Sequence, residues 1–500
     1  MKKVLIPFMT AFLCYACGDK ALNVPEPDYQ TAETFYRTEA DALQAVNAAY
    51  ASLAGPDLYG RMMHVAQELM SDETEATTTC NPLWQAMRRF ETSADNPVFS
   101  AIWTGAYQGV YRTNLAIGRI PEISMNSALK NRLVGEAYFL RGLYYFILVT
   151  NFGEVPLLQQ VVDYNSRDQK QPARASVARI YEIILADFAE AEKRLPVSYT
   201  GVEVGRATRG AAKGFRAKAL LYRAGLTGNR ADYTAAAQVF KEIIDAQTYD
   251  LVPNYADNFT ETGENNRESL FEVQFSTTVN PGVFCDECGT GSLRGMEFGV
   301  RGRANHIAIP SEMYLKQFVP GDPRLAASVF GPEGTRFDKQ DYYKFLQYRA
   351  WEDVLPRDYA FRKYQKEEGN EFNYDTGSGI NFRLLRFADV LLMYAEAVNE
   401  VQGPTAEVLA AINRVRKRAG VPTLSVVTTK EIMTRLIRTE RMSELGLEGH
   451  RWRDIVRWKI APDVLAEQGR LFDEERDYLF PIPQSERKLN PNLTQNKGWE

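Results

Sequence analysis

The residues able to do chemistry in this 500-residue sequence are unevenly supplied. Histidine, a common proton shuttle and zinc ligand, occurs only as His64, His306 and His450. Aromatic rings are abundant, with 26 Tyr, 26 Phe and 6 Trp, or 12% of the chain. Their default position is the core, but exposed rings offer flat surfaces to ligands. The composition therefore favours ligand binding over histidine-based catalysis.

Two groups of acidic residues have a spacing that could serve catalysis. Asp389 and Glu396 are seven residues apart on one predicted helix, which places them on one face ~10 Å apart, and such a pair could imitate the two carboxyls of a glycosidase. Residues 448–454 (EGHRWRD) bring two acids and a histidine together. Because Arg383 and Arg386 lie near the first pair and the second group contains its own arginines, we predict buried ion pairs at both places.

The sequence contains a single CxxC motif, formed by Cys285 and Cys288. A structural zinc ion would need two further ligands, and the sequence has no second CxxC. A thioredoxin-like site would need a strand-to-helix context, which the surrounding glycines do not supply. We predict a small-loop disulfide, with redox and metal-binding roles as the alternatives.

One run of oxygen donors is dense enough to suggest calcium. Its spacing does not match an EF-hand loop, so we predict neither a metal nor a cofactor. The run consists of Asp257, Glu261, Glu264, Asn265 and Asn266.

The amino terminus is typical of an exported lipoprotein. Two lysines precede a short apolar run, residues 4–13, which is too short to span a bilayer and indicates a secretory signal. The small residue before Cys17 resembles a bacterial lipobox, so residues 1–16 are the predicted signal peptide and Cys17 the acylated (palmitate-bearing) residue. A plain cleaved signal is the alternative. Residues 17–30 contain two prolines and form the predicted tether to the membrane.

The overall composition indicates a folded protein that does not bind nucleic acid. Hydrophobic residues make up 45% and charged residues 25% of the chain, which allows a sizeable core. Lys and Arg total 59 against 64 Asp and Glu, a net charge of −5. Nucleic-acid binders usually carry a basic excess.

Helical periodicity dominates both ends of the chain. An apolar stripe runs from Asn131 to Val149, and apolar residues fill most of the remaining circumference, which predicts a buried helix. Tyr233, Ala236 and Phe240 match part of the tetratricopeptide pattern. The predicted fold is mostly α, a scaffold of tetratricopeptide-like helix pairs. The other predicted helices are Glu39–Leu53, Ser176–Leu195, Ala211–Ala224, Tyr233–Ile244, Arg386–Val401, Thr405–Arg418 and Glu431–Leu447.

The middle of the chain is irregular. Residues 250–375 are rich in Gly, Asn, Asp and aromatics, with short strand-like runs such as 270–275. Long loops on a rigid scaffold are where ligands commonly bind. We predict one domain over residues 31–500, with a helical scaffold at 31–249 and 376–500 and a loop-rich ligand region at 250–375.

Several motifs together resemble the SusD/RagB family of Bacteroidetes outer-membrane lipoproteins, and the resemblance spans nearly the whole mature chain. The motifs occur in the order expected for that family and agree with the lipobox. They lie at residues 136–146 (EAYFLRGLYYF), 151–157 (NFGEVPL), 205–212 (GRATRGAA), 386–397 (RFADVLLMYAEA), 440–454 and 478–496.

The resemblance implies a cell-surface role without catalysis. A member of this family is expected to bind nutrient oligomers, usually oligosaccharides, and to deliver them to a SusC-like, TonB-dependent β-barrel in the outer membrane. A peptide ligand is the main alternative. A glycoside hydrolase and a scaffold that binds only proteins are the less favoured ones.

Sugar capture needs exposed aromatic faces and hydrogen-bonding side chains beside them. Trp84 and Trp351 fall in polar or irregular sequence and are the predicted stacking platforms, whereas the other tryptophans fall in helical or terminal motifs. Asp72 is the predicted polar contact, and Phe284, next to the CxxC loop, is a further candidate. The remaining tryptophans, predicted to be structural, are Trp103, Trp452, Trp458 and Trp499.

Overall fold

The computed structural model describes residues 35–161, 166, 170–276, 291–299, 304–331, 359–365, 378–426 and 429–500. The signal peptide, Cys17 and the tether lie outside these residues, as do Phe284, Cys285, Cys288 and Trp351. What the sequence predicts for them stays a prediction.

Helices make up most of the described chain. In chain order they are α1 (Glu39–Ala54), α2 (Met62–Met70), α3 (Pro82–Arg88), α4 (Pro97–Arg119), α5 (Ser127–Phe152), α6 (Val177–Arg194), α7 (Arg209–Thr227), α8 (Arg230–Asp245), α9 (Arg294–Phe298), α10 (Glu312–Lys316), α11 (Pro323–Ser328), α12 (Phe387–Gln402), α13 (Ala406–Arg418), α14 (Lys430–Leu445), α15 (Arg451–Arg457), α16 (Ala461–Ala466) and α17 (Gln484–Leu489). Short 3-10 turns occur at Ile120–Glu122, Gly201–Glu203, Tyr255–Phe259 and Glu261–Gly263.

Local sequence explains where the long helices begin. Thr38 and Asp41 form a reciprocal capping box at the start of α1. The side chain of Asn96 accepts a hydrogen bond from the backbone of Val98, and Pro97 occupies the first turn of α4. Ser176 caps α6 as predicted.

Successive long helices pack against each other in a continuous stack. α1 packs on α4, α4 on α5, α5 on α6, α6 on α7, α7 on α8 and α8 on α12, which also contacts α13 and α14. The fold class predicted from the sequence, a mostly α scaffold of tetratricopeptide-like pairs, is confirmed. The predicted boundaries are close: α14 was expected at 431–447 and spans Lys430–Leu445.

The most buried of the long amino-terminal helices in this stack is α5. It is long and apolar enough to cross a membrane by composition alone, but 89% of its most apolar stretch is buried inside the protein. Gly109 of α4 faces it, and a Cβ at that position would lie 2.2 Å from the ring of Tyr144. The absence of a side chain therefore lets α4 approach α5 closely.

Within the described residues the strands are short and form four two-stranded antiparallel sheets: β1 (Thr74–Ala76) with β5 (Ala308–Pro310), β2 (Val155–Pro156) with β3 (Arg174–Ala175), β4 (Ser269–Val273) with β8 (Phe382–Arg386), and β6 (Val329–Phe330) with β7 (Ala360–Phe361). In the first sheet Glu75 lies opposite Ile309. This pairing fixes part of the predicted loop-rich region to the amino-terminal helices. The domain boundaries themselves stay a prediction.

Candidate functional site

The carboxylates that resemble a glycosidase pair are buried in ion pairs. Asp389 accepts from Lys218 at 3.0 Å and from Arg441 at 2.7 Å. Burial by itself would raise the pKa of Asp389, but Lys218 and Arg441 lower it well below its ordinary value. Glu396 pairs with Arg457. Both carboxyls are bound by cations, and Glu396 also lines a surface pocket of about 290 Å³.

The predicted ion pairing of these acids is confirmed, but the predicted partners are wrong. Arg383 pairs with Glu272 at 3.2 Å instead. Arg386 lies at the carboxyl end of β8, just before α12, and binds a separate cluster of acids. The members of that cluster are Glu268 (2.7 Å), Glu444 (2.6 Å) and Glu448 (2.8 Å).

Residues 448–454 also form buried ion pairs, as predicted, but every partner lies outside the segment, and Arg453 donates to Thr150 and Asn151 rather than to an acid. Glu448 accepts from Lys363 and Arg386 at 2.8 Å each. Burial opposes ionisation of Glu448, but the two cations lower its pKa to about 2. Asp454 pairs with Arg441 at 2.8 Å. Trp452 is fully buried, in agreement with its predicted structural role.

Asp72 is turned into the protein. Its two carboxylate oxygens accept from the Nε and Nη2 atoms of Arg451 at 2.7 and 2.6 Å, and the residue has 0% exposure. Its backbone oxygen accepts from Ser311 and Gln468, both at 2.6 Å. These bonds join three distant segments, so in this structure Asp72 orders the start of β1 and presents no carboxylate oxygen to solvent.

Trp84 lies in α3, so the loop that its polar sequence context predicts at this position is wrong. The side chain of Asn81 accepts from the backbone of Leu83 at 2.8 Å and Pro82 occupies the first turn, which together begin a helix. The residue is 7% exposed, and the guanidinium of Arg61 lies 5.4 Å from the centroid of its ring. A sugar could stack on this face only if Arg61 moved, and the ligand contact of Trp84 stays a prediction.

One helical turn after Trp84, Arg88 enters a surface groove of about 670 Å³, which we call the polar groove. β1 and α3 form one side, α10 forms another, and the turn after α16 closes the end. Its lining consists of Glu75, Ala76, Arg88, Glu312, Met313, Lys316, Gln317, Glu467 and Gln468.

Arg88 is fixed in the polar groove by neighbouring oxygens. Its Nη2 donates to the backbone oxygen of Thr74 at 3.1 Å and lies 3.5 Å from the side-chain oxygen of Gln468. Burial lowers the pKa of Arg88. Its Nε is buried and has no hydrogen-bond partner among the described residues. A buried donor without a partner costs free energy, so a ligand that supplies an acceptor would bind more favourably here.

The polar groove can recognise hydroxyl groups. Three carboxylates, two side-chain amides and two cations supply both acceptors and donors within one surface. Lys316 and Glu312 pair at 2.7 Å on the exposed face of α10. The described lining residues include no aromatic ring, so stacking would have to come from outside this set.

A second surface groove, which we call the apolar groove, has a volume of about 570 Å³. It lies between the end of α1, β4 and the turn at residues 201–206, and it includes Tyr50, Phe271 and Phe275. Val202 in that turn is 99% exposed. Its surface offers fewer hydrogen-bonding groups than the polar groove.

Sequence reasoning missed both grooves. The polar groove combines residues between positions 75 and 468, and no local pattern marks them as neighbours. Among the described residues no three His, Cys, Asp or Glu side chains are arranged to hold a metal ion.

Comparison with known proteins agrees with the fold. Residues 247–499 match the SusD family, and residues 26–221 match a family described as starch-binding and associating with the outer membrane. SusD-like protein P2 of Formosa agariphila is 27% identical over 521 residues, covering 99% of each chain.

Solved structures share the fold. A SusD homolog from Bacteroides thetaiotaomicron superposes with a TM-score of 0.79 at 24% identity, covering 94% of this chain and 98% of its own. A laminarin-binding SusD-like protein has a TM-score of 0.77 at 24% identity, covering 93% of this chain and 100% of its own. With its helix stack, its motifs and these matches, the chain belongs to the SusD family.

Proposed function

We propose that this protein binds oligosaccharides in the polar groove at the cell surface and delivers them to a SusC-like, TonB-dependent barrel. The observation that carries the proposal is a groove rich in carboxylates and amides in a chain of the SusD family. The names of relatives support the ligand class, since one family description specifies starch and one solved neighbour binds laminarin. A peptide is the alternative ligand, and it is tested in the same titrations.

Binding is tested by calorimetric titration of the protein without residues 1–17 against laminarin and starch oligosaccharides. Removal of a charged hydrogen bond costs about 1.5–3 kcal/mol, so Glu75→Gln should weaken binding roughly tenfold or more. Removal of a neutral one costs about 0.5–1.5 kcal/mol, so Gln317→Ala should weaken binding roughly two- to tenfold. Glu122→Gln is the matched control, because Glu122 is exposed and lines neither groove. Unchanged affinity in both groove variants would place the site elsewhere, and binding of peptides alone would reject the sugar ligand.

We propose that the bound oligomer is not cleaved. The carboxylates with suitable spacing, Asp389 and Glu396, are committed to cations inside the protein. Chromatography of oligosaccharides after prolonged incubation with pure protein should show no shorter products. Any product that disappears in a Glu75→Gln variant would identify a hydrolase in the polar groove.

The lipid anchor and the barrel partner belong to the same proposal. Cys17→Ser should abolish incorporation of labelled palmitate and release the protein from the outer membrane. The wild-type chain should co-purify with a co-expressed SusC-like barrel. Membrane attachment that survives the Cys17→Ser change would refute the anchor without affecting the glycan result.

A further inference from the structure

The surface pocket beside Glu396, which we call the arginine pocket, has a volume of about 290 Å³. It lies between the end of α7, the start of α8, α12, α14 and the residues that end α15. Sites for small organic ligands measure about 300–1,000 Å³, so the arginine pocket has room for one small molecule rather than for a chain. None of its described lining residues lines the polar groove or the apolar groove.

The acids of the arginine pocket already have cations. Glu396 accepts from Arg457, whose Nη2 lies 2.8 Å from Oε2. Arg457 also binds Asp454, whose second oxygen is held by a further buried arginine. Glu400 pairs with Lys430 at 2.7 Å. Neither Glu396 nor Glu400 therefore brings an uncompensated negative charge to the pocket.

Arg438 is a cation of the pocket without an acid. Its guanidinium lies 4.9 Å from the ring centroid of Trp458 and makes no ion pair or hydrogen bond with the residues that the structure describes. Its Nε is shut off from solvent, whereas Nη1 and Nη2 remain accessible and are the part of the side chain that can meet a ligand. Burial lowers the pKa of Arg438, as expected for a cation that lacks a counter-charge.

The ring on which Arg438 stacks is fixed in place. The indole N–H of Trp458 donates to Glu396 at 2.9 Å, and the guanidinium of Arg457 lies 4.8 Å from the same ring centroid. Stacking on a fixed ring limits the positions of the Arg438 guanidinium. Less conformational freedom is then lost when an acceptor binds to it.

Two further groups of the pocket are available as donors. The hydroxyl of Tyr233 is accessible and has no hydrogen-bond partner among the described residues. Burial raises the pKa of Tyr233 to about 12, so the hydroxyl keeps its proton at pH 7. Lys459 is exposed and forms no ion pair within the described part of the chain.

The acceptors that remain suit hydroxyl groups. Residues 225–227 end α7 at the pocket, and the last carbonyl oxygens of a helix have no partner within it. The side-chain oxygen of Asn399 also lacks a partner among the described residues, but it is shut off from solvent and cannot meet a ligand. A ligand with both a carboxylate and hydroxyl groups would use the cations and the helix end together, whereas a simple anion would use the cations alone.

We propose that the arginine pocket binds a hydroxycarboxylate the size of one sugar unit, of the uronic acid class. Its carboxylate lies on the outer N–H groups of Arg438, and its hydroxyls bond to Tyr233 and the end of α7. A guanidinium edge offers parallel N–H donors that match the two oxygens of a carboxylate. A free acid and an acidic unit within a glycan share this chemistry. The proposal does not depend on glycan binding in the polar groove, because the two sites share no residue.

Glucuronate and glucose are matched probes, because they differ only in a carboxylate against a hydroxymethyl group. Titration of the purified protein, followed by saturation-transfer NMR, should give a Kd of about 1 mM or lower for glucuronate, the range for so small a ligand. Glucose should bind at least about tenfold more weakly. Equal affinities, or no binding of glucuronate, would overturn the proposal. Tighter binding of an oligosaccharide that ends in glucuronic acid would identify a glycan as the source, and equal binding the free acid.

Substitutions in the pocket locate the bound acid. Arg438→Gln should weaken glucuronate binding about tenfold or more, and Tyr233→Phe about two- to tenfold. Arg435→Gln is the matched control, because Arg435 lies one turn earlier on α14, is exposed and does not line the pocket. It should leave the affinity unchanged. Unchanged binding in Arg438→Gln would place the acid elsewhere and overturn the proposal.

Glu75→Gln separates this site from the polar groove. It should weaken binding of neutral oligosaccharides and leave binding of glucuronate unchanged, and a loss of glucuronate binding in this variant would refute the arginine pocket. If Arg438→Gln does not fold, crystals of the wild-type protein soaked in glucuronate decide. A carboxylate within hydrogen-bond distance of the Nη atoms of Arg438 is expected, and a pocket without glucuronate would overturn the proposal.

Discussion

Asp72 and Glu75 are three residues apart, yet they belong to regions with different uses for a carboxylate. Asp72 lies in the scaffold, fully buried and bonded through both oxygens to Arg451. Glu75 is half-buried on β1 and lines the polar groove. In the scaffold an acid fixes distant segments to each other, whereas in the groove it remains available to a ligand. The difference shows that the type of residue does not reveal its role, and that burial and partners do.

The largest loss of stability is expected from a substitution in the scaffold. Arg386→Gln removes the cation shared by three buried carboxylates, so we expect a loss of about 3–5 kcal/mol or more in the free energy of unfolding. Urea denaturation measures it. Arg89→Gln, which breaks an exposed pair with Glu91, is the control and should stay within about 0.5 kcal/mol. Equal losses of unfolding free energy in Arg386→Gln and Arg89→Gln would show that buried and exposed ion pairs contribute alike to stability.

The next largest effect on stability is expected at Asp72, and the neighbouring acid Glu75 serves as the comparison. Asp72→Asn leaves the buried Arg451 without its counter-charge and should cost about 3 kcal/mol in urea denaturation. Glu75→Gln should change stability by less than about 0.5 kcal/mol while weakening glycan binding. A reversed pattern, with Glu75 stabilising and Asp72 only affecting affinity, would show that the two regions are wrongly assigned.

Glu73, between these two acids in the chain, gives a pH-dependent effect. Burial raises its pKa well above the ordinary value, and Glu68 adds to the shift, so the folded state holds this proton more tightly than the unfolded state does. Below pH 4 both states are protonated and the residue has no effect. As the pH rises above the ordinary carboxyl range, the unfolded state loses the proton more readily and native stability falls.

Glu73→Gln should therefore raise the free energy of unfolding by about 1 kcal/mol or more at pH 7.5, and the gain should shrink towards pH 4. Urea denaturation of both proteins at the two pH values measures the difference. A gain independent of pH would mean that the substitution acts through packing.

The smallest change in stability is expected at α10, which lines the polar groove. The pair Lys316–Glu312 is exposed at both ends, so Lys316→Gln should alter the free energy of unfolding by about 0–0.5 kcal/mol, and less in high salt. A loss above 2 kcal/mol would indicate that this part of the groove belongs to the scaffold.

The sequence determined the helices of this protein and its family. Caps such as Thr38 and Ser176 and the apolar stripe of α5 act over about four residues, which is why the predicted boundaries of these helices are close to those of the structure. The motifs that resemble the SusD/RagB family could also be identified without coordinates. The sequence also predicted that Asp389 and Glu396 form buried ion pairs, but not with which cations.

Tertiary structure decided which charges meet and where the ligand surface lies. Asp389 pairs with Lys218 and Arg441 because α12 packs in the stack, although Arg383 and Arg386 are closer in sequence. Trp84 is covered by Arg61, and the polar groove is assembled from β1, α3, α10 and the turn after α16. Hydrogen bonds along a helix depend on near neighbours in the chain, whereas ion pairs and grooves depend on how distant segments pack.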